Sequence, residues 1–381
     1  MCILNTFVPH ARIRRRQPMS WLLKATDLEA LEFGARMLGS GGAGDTHAMS
    51  LLTRSLLEHR GSVTVFPPSK ILPGDVVVAV GLAGSALAFS EKPSGSEPYV
   101  RAFDAVTQKF PGRRALVCAF EMAGINAYAP ILVAAALGIP LVDMDGMGRG
   151  LSGLHQTTFN AQSVSMTPCA LVDTSGRCVE ISGSTAEESE RALRVLMGLF
   201  GGWVAFAGYP MDALQAREGG ISRTLGRALE LGRQFQHSKE LMQSVSDAIS
   251  HFCTHTAGCL FVGRGSVVDV HWEPAPRDSG AGVQAKGTMI VRAAGRYLRI
   301  EAQNEFLLLL DEGRLLAKAP QIICLLDSHT GIPLLSERIL PGYGVDVVVF
   351  EAPGEWSESA AQALVDISGY GYTIPSLEDS L

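Results

Sequence analysis

The chain has 381 residues, of which 47% are hydrophobic and 18% are charged, and its formal net charge is −6. A chain of this size can bury one large core or two smaller ones without disulfides or structural metals, and two domains are the better expectation. The acidic balance argues against nucleic acid and anionic membranes as partners and favours a small-molecule ligand.

Cysteine usage and apolar segments indicate the cellular environment. The seven cysteines are odd in number and lie mostly within apolar runs, which is typical of buried thiols in a reducing compartment. The longest apolar segments, 76–89 and 131–142, are shorter than the roughly 20 residues that a membrane-spanning helix needs. In residues 1–20 a basic run follows the apolar part, the reverse of a secretory signal. We therefore expect a soluble cytoplasmic protein with a disordered tail at 1–20.

Residues 21–182 alternate helical and strand patterns, which is typical of an α/β domain with a parallel sheet. Thr26 and Glu29 have the spacing of a capping box, and an apolar stripe continues to residue 38. The glycine-rich stretch GSGGAGD at 39–45 then leads into a second helix. A buried strand pattern at 76–80 and a helix over 99–110 follow.

A strand, a helix and a second strand come next, and acidic residues stand where the strands end. The apolar run at 115–120 stops at Glu121, a helical pattern covers 124–138, and the following strand brings Asp143 and Asp145. The crossover between parallel strands is almost always right-handed, so both strands point the same way. Ligands bind at the carboxyl ends of such strands. We therefore expect the three carboxylates at one ligand-binding edge.

The remaining chain, 183–381, predicts a second domain with a helical segment at 183–256, a β-rich part at 257–352 and a tail at 353–381. Ser184 and Glu187 have capping-box spacing for its first helix. The pattern WVAFAGYP at 203–210 predicts a strand within the helical segment. The many short strands after residue 259, including CLFVG and SVVDVHW, are separated by turn signals and predict a mainly antiparallel barrel or sandwich.

The carboxylates at the predicted edge have two interpretations. Glu121, Asp143 and Asp145 can act as general acids or bases, or hold a divalent cation such as Mg²⁺ through oxygen ligands. Such residues also commonly accept hydrogen bonds from loop amides or cap a following segment. Elsewhere, the His and Cys residues at 251–259 match no zinc spacing. The GxSxG pattern of serine hydrolases is absent from the sequence.

The other candidates are binding residues. Backbone amides of a glycine loop before a helix can approach an anion or a carbonyl, although a plain turn between helices explains the glycines equally well. Lys92 can be ordinary turn chemistry, Arg149 can pair with the aspartates, and a lone histidine is more often only hydrogen-bonded. The candidates for substrate binding are Gly41, Gly42, Gly44, Asp45, Lys92, Asn126, Arg149, His155 and Thr157.

Several strings of this chain form a recognisable set. LGSGGAGD, EKPSG, FEMAGINA, LVDMDGMGRG and HQTTF occur in this order, followed by ISRTLGRALELGR, QNEFLLL, QIICLLDSHTG and SGYGY. Over nearly everything after Trp21, the chain resembles the S-methyl-thiohydantoin desulfurase family. The resemblance implies an N-terminal α/β domain, a C-terminal domain rich in β-structure, and removal of the methylthio group from a hydantoin-like ring.

These observations lead to an expected mechanism. Water attacks the ring carbon that carries sulfur, Glu121 or Asp143 acts as the base, and a neighbouring acidic group donates a proton. Asn126, Arg149 and the amides of 41–44 hold the ring. In a variant, Glu121, Asp143 and Asp145 hold a divalent cation.

The resemblance also implies an alternative without catalysis. Members of the family often lie beside hydantoinase/oxoprolinase-like proteins, so the chain can be a hydantoin-binding or assembly subunit of such an enzyme. A homo-oligomer is also possible on this evidence.

Overall fold

The computed structural model describes residues 19–42, 44–274 and 285–372. The tail expected at 1–20 lies, except for Met19 and Ser20, outside the described residues. In chain order the α-helices are α1 (Leu28–Leu38), α2 (His47–Arg60), α3 (Ala86–Glu91), α4 (Glu97–Thr107), α5 (Ala129–Leu137), α6 (Thr158–Ala161), α7 (Ala186–Leu199), α8 (Ala213–Gly219), α9 (Thr224–Leu241), α10 (Val245–His255) and α11 (Ser359–Leu364). Within the described ranges, none is long and apolar enough to cross a membrane.

The strands form two large sheets and one short pair. In chain order they are β1 (Trp21–Leu23), β2 (Val63–Phe66), β3 (Asp75–Gly84), β4 (Arg114–Ala119), β5 (Leu141–Val142), β6 (Met144–Asp145), β7 (Cys169–Val172), β8 (Cys178–Ile181), β9 (Trp203–Met211), β10 (Ile221–Ser222), β11 (Cys259–Glu273), β12 (Lys286–Ala293), β13 (Arg296–Gln303), β14 (Glu305–Asp311), β15 (Arg314–Lys318), β16 (Ile322–Asp327) and β17 (Gly344–Phe350). Short 3₁₀ helices lie at Ala25–Asp27, Pro68–Lys70, Gly124–Ala127, Ser336–Arg338, Gly354–Ser357 and Ile367–Tyr370.

The N-terminal sheet has eight strands in the order β1-β2-β5-β4-β3-β9-β7-β8. The pairs among β2, β5, β4 and β3 are parallel, and the outer pairs are antiparallel. The predicted α/β class is confirmed, although the sheet is mixed and not parallel throughout. One reason is β9, which the sequence assigned to the segment 183–256 and which pairs antiparallel with β3 and β7. It is almost entirely buried and gains that burial by pairing with β3 inside this sheet.

The sheet separates two hydrophobic cores. Alternate side chains of β3 point to opposite faces, so Val76, Val78 and Val80 join one core while Val77 and Ala79 join the other. Helices α1, α4, α5 and α9 cover the first face, and α7 and α8 cover the second. Helices on both faces explain why β3 is a continuous apolar run.

The C-terminal sheet has seven antiparallel strands in the order β15-β14-β13-β12-β11-β17-β16. It is a half-barrel, which confirms the antiparallel β-rich prediction but not a closed barrel. The strings CLFVG and SVVDVHW, predicted as two strands, form the single 15-residue strand β11. Irregularities in its pairing near residues 261–263 and 267–269 bend it, and they explain why its apolar pattern is interrupted.

Helix α7 begins one residue later than the sequence predicts. Thr185 is the N-cap, its side chain accepts from the backbone N–H of Glu188, and the Glu188 side chain accepts from the N–H of Thr185. The sequence contains two overlapping capping-box patterns, Ser184 with Glu187 and Thr185 with Glu188, and the helix uses the second. The hydroxyl of Ser184 is hydrogen-bonded to that of Ser189 and does not cap the helix. The cap fixes the start of a helix that forms part of the pocket described below.

The segment 353–372 folds back on the N-terminal half. Trp356 is buried, and its Nε1 donates to the carbonyl of Met147 at 2.7 Å. Gln156 donates from Nε2 to the carbonyl of Leu364 at 2.9 Å and to the hydroxyl of Tyr370 at 2.7 Å. This part of the chain, treated as a tail from its sequence, therefore covers the region next to Gly146–Gln156.

Candidate functional site

A pocket of about 380 Å³ opens where β3 and β4 end. Its wall is formed by residues 82–86 around the end of β3, by Phe120 and Glu121 after β4, by the loop 151–154 and by the last turns of α7. Asn304 and Glu305, at the start of β14, close it from the half-barrel. The pocket thus lies at the carboxyl edge of the parallel strands, where α/β sheets bind ligands, and both halves of the chain contribute to it.

Glu121 is a buried carboxyl group in this wall. Its side chain is 3% exposed, and its Oε1 atom has no hydrogen-bond partner among the described residues. Burial raises its pKa well above the usual value, and the charge of Glu305 raises it further. The Asn126 side chain and the N–H of Leu151 oppose this rise because they favour the ionised form. Burial therefore favours the protonated form of Glu121.

Glu305 is the second buried carboxyl group of the pocket, and the sequence did not single it out. Its Oε1 accepts from Asn304 Nδ2 at 2.5 Å, whereas Oε2 has no partner within the described part of the chain. Burial raises its pKa to about 7, and Arg149 and Asn304 limit the rise. The available signal was its place in the string QNEFLLL, where an acidic residue directly precedes an apolar strand.

Asn126 donates into the pocket because its carbonyl oxygen is already used. Oδ1 accepts from the N–H of Leu82 at 2.5 Å, which fixes the amide plane and leaves the NH₂ group facing the pocket and Glu121. This placement agrees with its predicted role in holding a ring, which stays a prediction.

Arg149 is fully buried and binds backbone carbonyls of both halves. It donates to Gly150 at 2.7 Å, to Gln321 at 2.6 Å and to Phe306 at 3.2 Å. None of these bonds goes to Asp143 or Asp145. Because Phe306 follows Glu305, the guanidinium charge lies near that carboxylate and favours its ionised form.

Asp143 and Asp145 are hydrogen-bonded to backbone amides and do not line the pocket. Asp143 Oδ1 accepts from Leu225 at 2.9 Å and from Gly226 at 3.3 Å, at the start of α9. Asp145 accepts from the N–H groups of Met122 at 2.6 Å, Gly148 at 2.9 Å and Met147 at 3.3 Å. Burial raises the pKa of Asp143 to about 6 and that of Asp145 to about 7. This geometry corresponds to the structural interpretation of both residues.

The same bonds bear on the divalent cation considered from the sequence. Within the described ranges, no group of three His, Cys, Asp or Glu side chains is arranged to hold a metal. The oxygens of Asp143 and Asp145 are directed at amide donors, so these two residues and Glu121 do not form a ligand set.

The glycine loop packs behind the pocket wall. A Cβ atom at Gly42 would lie 2.5 Å from Glu305 Oε1, and one at Gly41 would meet the Phe306 ring. At Gly44, whose φ is +77°, a Cβ atom would lie 2.6 Å from Ala86 Cβ and 3.3 Å from Ile125 Cδ1, both in the wall. The loop therefore permits the close approach that places Glu305, while its residues are not themselves part of the wall.

The remaining candidates lie outside the wall. Asp45 forms ion pairs with Arg36 at 2.8 Å and with Arg338 at 2.9 Å, and Thr157 caps α6 by accepting from Asn160 at 3.0 Å. Lys92 and His155 differ in exposure. Lys92 is exposed, with its Nζ close to Gly201, and His155 is half-buried on the side of Glu187.

Tyr370 lies close to Glu305 and Arg149. Its hydroxyl accepts from Gln156, and Glu305, Arg149 and Ser152 all influence its ionisation. Burial and the charge of Glu305 raise the pKa of Tyr370, so it stays a neutral hydroxyl. Apart from its position in the string SGYGY, no local pattern marks Tyr370 as a site residue.

The fold and the site define a two-part α/β protein with a pair of buried glutamates in a pocket between a mixed sheet and a half-barrel. The chain belongs to the S-Me-THD-like family, since the model of the N-terminal domain matches residues 26–183 and that of the C-terminal domain matches 184–378. The resemblance to the S-methyl-thiohydantoin desulfurase family is thereby confirmed.

Comparison with other proteins adds a structural relative. A crystal structure of a protein from Chromobacterium violaceum is 25% identical to this chain and has a TM-score of 0.72. The match covers 92% of this chain and 98% of that one. Among curated proteins, none matches this chain.

Proposed function

We propose that the protein is a hydrolase that releases methanethiol from an S-methyl-thiohydantoin-like ring. The observation that carries the proposal is the pair Glu121 and Glu305, each with one carboxyl oxygen free of protein partners among the described residues. Buried polar atoms require hydrogen-bond partners, and the N–H groups of a cyclic amide can supply them to the free carboxyl oxygens. The ring also contains a carbon that water can attack with the help of a carboxyl group. Membership of the S-Me-THD-like family supports the same activity.

The surroundings of the two glutamates assign them different roles. Two carboxyl groups in one buried site do not both ionise readily, so the pair favours the state in which one of them keeps a proton. Arg149 favours the ionised form of Glu305, whose pKa is about 7, while Glu121 has its pKa raised well above its usual value. Glu305 therefore acts as the general base, and Glu121 acts as the general acid.

The reaction balances with water as the only co-reactant. Glu305 takes a proton from water as the water oxygen bonds to the ring carbon that carries sulfur, and Glu121 protonates the adjacent ring nitrogen. The carbon–sulfur bond then breaks as the hydroxyl on the tetrahedral carbon gives its proton to ionised Glu121 and becomes a carbonyl. The proton held by Glu305 passes to the departing methanethiolate. The products are a hydantoin and methanethiol.

Asn126 stabilises the charge that develops on the ring. Its NH₂ group is fixed by the hydrogen bond between its Oδ1 and the N–H of Leu82. The amide therefore need not reorient when the reacting ring carbon becomes tetrahedral. Removing one such donor typically costs about 10²-fold or more in kcat.

A thiol-trapping assay tests the proposal. The purified protein should release methanethiol from S-methyl-thiohydantoins, and Glu121→Gln and Glu305→Gln should each lower kcat by about 10²-fold or more, the effect of losing a general acid or base. Wild-type protein that binds hydantoins in calorimetry but releases no thiol across a panel of ring substituents would contradict it. That outcome would favour the non-catalytic subunit of a hydantoinase/oxoprolinase-like enzyme.

A further inference from the structure

The pocket wall beyond the two glutamates is apolar. Phe120, Leu151, Leu154, Leu193 and Met197 contribute to it, and each is a buried member of the second core. Because these side chains are packed in the core behind them, they present a fixed surface. An apolar wall with a few convergent polar groups is the usual construction of a small-molecule site.

The charged groups of the wall offer little to an anionic substituent. Arg194 is already paired, since its Nε donates to Glu190 at 2.6 Å and its Nη2 donates to the carbonyl of Ser152. Glu337 is exposed and acidic. Glu121 and Glu305 lie deeper inside the pocket. A carboxylate on the ligand would therefore lie near acidic groups, and the guanidinium of Arg194 is already hydrogen-bonded to Glu190 and Ser152.

The pocket also holds more than a bare ring. Its volume of about 380 Å³ lies within the range of roughly 300–1,000 Å³ that is typical of sites for drug-sized ligands. A five-membered ring with one methylthio group is smaller than such ligands. A further group on the ring therefore has space against the apolar wall.

We infer that the substrate carries an apolar ring substituent, the size of a leucine or phenylalanine side chain, and that Met197 of α7, with the core side chains packed around it, selects it against acidic ones. The inference rests on the proposed function, because that function places the reacting carbon of the ring at Glu121 and Glu305. The substituent then extends along α7.

Binding of hydantoins, which lack the methylthio group and undergo no thiol release, tests the inference without turnover. Calorimetry with the full chain should show that 5-isobutyl-hydantoin binds at least about 10-fold more tightly than 5-(2-carboxyethyl)-hydantoin, the scale of discrimination by an apolar pocket. Equal affinities, tighter binding of the acidic ligand, or no binding of either hydantoin would overturn the inference. A protein that ranks the ligands as expected but releases no thiol would instead contradict only the proposed hydrolysis.

Two lysine substitutions on the same helix locate the selectivity. Met197→Lys places a cation in the wall and should reverse the preference in favour of the carboxyethyl ligand. Val195→Lys is the matched control, because Val195 is 61% exposed and outside the wall, and it should keep the wild-type ranking. If Met197→Lys does not fold, Met197→Ala should weaken binding of the isobutyl ligand alone. An unchanged ranking in folded Met197→Lys, an unchanged affinity for the isobutyl ligand in Met197→Ala, or a reversed ranking in Val195→Lys would refute the role of this wall.

Discussion

Glu121 and Glu305 come from opposite halves of the chain, and each alters the environment of the other. Glu121 follows a strand of the mixed sheet, whereas Glu305 begins a strand of the half-barrel. Burial is the main cause of the raised pKa of both groups, and Arg149 acts mainly on Glu305. One site can therefore contain an acid and a base of the same residue type at neutral pH.

This ionisation predicts the pH dependence of thiol release. The ratio kcat/KM should rise as pH increases through about 7, because Glu305 must lose its proton, whose pKa is about 7. It should fall at higher pH, where Glu121, with its pKa raised well above the usual value, also ionises. Steady-state rates between pH 5 and pH 10 measure both limbs. A maximum near pH 5 followed by a continuous fall would show that the assignment of acid and base is wrong.

At the residue scale, the sequence identified one of the two glutamates. Glu121 stands at a strand end, which local patterns reveal, and Asn126 follows in the same unit. Glu305 became a candidate only once the half-barrel was seen to pack on the glycine loop, a contact between residues far apart in the chain. Asp143 has the same local signature as Glu121, but its partners are amides near residue 225. Such partners cannot be read from its neighbours in sequence.

At the element scale, the glycine loop at 39–45 sets the position of Glu305. Ser40 accepts from the N–H of Phe306 at 2.7 Å through its carbonyl, and its hydroxyl donates to the carbonyl of Ile323 at 2.8 Å. Gly42 then lies against the Glu305 carboxyl group with no room for a side chain. The sequence predicted a loop that approaches a ligand closely, and the structure has it approach a carboxyl group of the pocket.

Replacing Gly42 tests this positioning. Gly42→Ala should lower kcat by about 10-fold or more, because its Cβ would displace Glu305, and small displacements in an active site are costly. Gly74→Ala is the control, since a Cβ there meets nothing within 4 Å and should leave kcat unchanged. Thermal unfolding of both variants shows whether the fold is intact. Full activity of a folded Gly42→Ala protein would argue against the contact.

The start of α9 gives a second test at this scale. Asp143 accepts from two amides there, so it does for α9 what an N-cap side chain does. Asp143→Ala should lower the free energy of unfolding by about 1 kcal/mol, the usual cost of losing such an acceptor at a helix N-terminus. The kcat of thiol release should stay within about twofold of wild type, because Asp143 is not in the pocket wall. Urea denaturation and the thiol assay measure the two effects. A large loss of kcat without loss of stability would restore Asp143 as a catalytic candidate.

At the scale of the whole molecule, fold class was more predictable than connectivity. Helix–strand alternation before residue 182 and strand repetition after 259 predicted the two kinds of sheet, because periodicity is a local property. The insertion of β9 into the first sheet was not predicted, since strand order depends on pairing between distant segments. The two family models nevertheless meet at residues 183 and 184. The second matched segment therefore contributes a strand to the sheet of the first.

Arg149 contributes both to stability, through hydrogen bonds to carbonyls of both halves of the chain, and to the ionisation of Glu305, through its charge. Two substitutions can separate these contributions. Arg149→Met should lower the Tm by several degrees, because three backbone carbonyls, two of them buried, lose a hydrogen bond from the guanidinium. It should also move the acid limb of kcat/KM to higher pH, because the charge that favours ionised Glu305 is removed. Arg149→Lys keeps the charge but not the planar fork, so it should lower the Tm while leaving the acid limb near its wild-type position. A shift of equal size in both variants would mean that the limb follows the loss of packing between the halves and not the charge of the guanidinium.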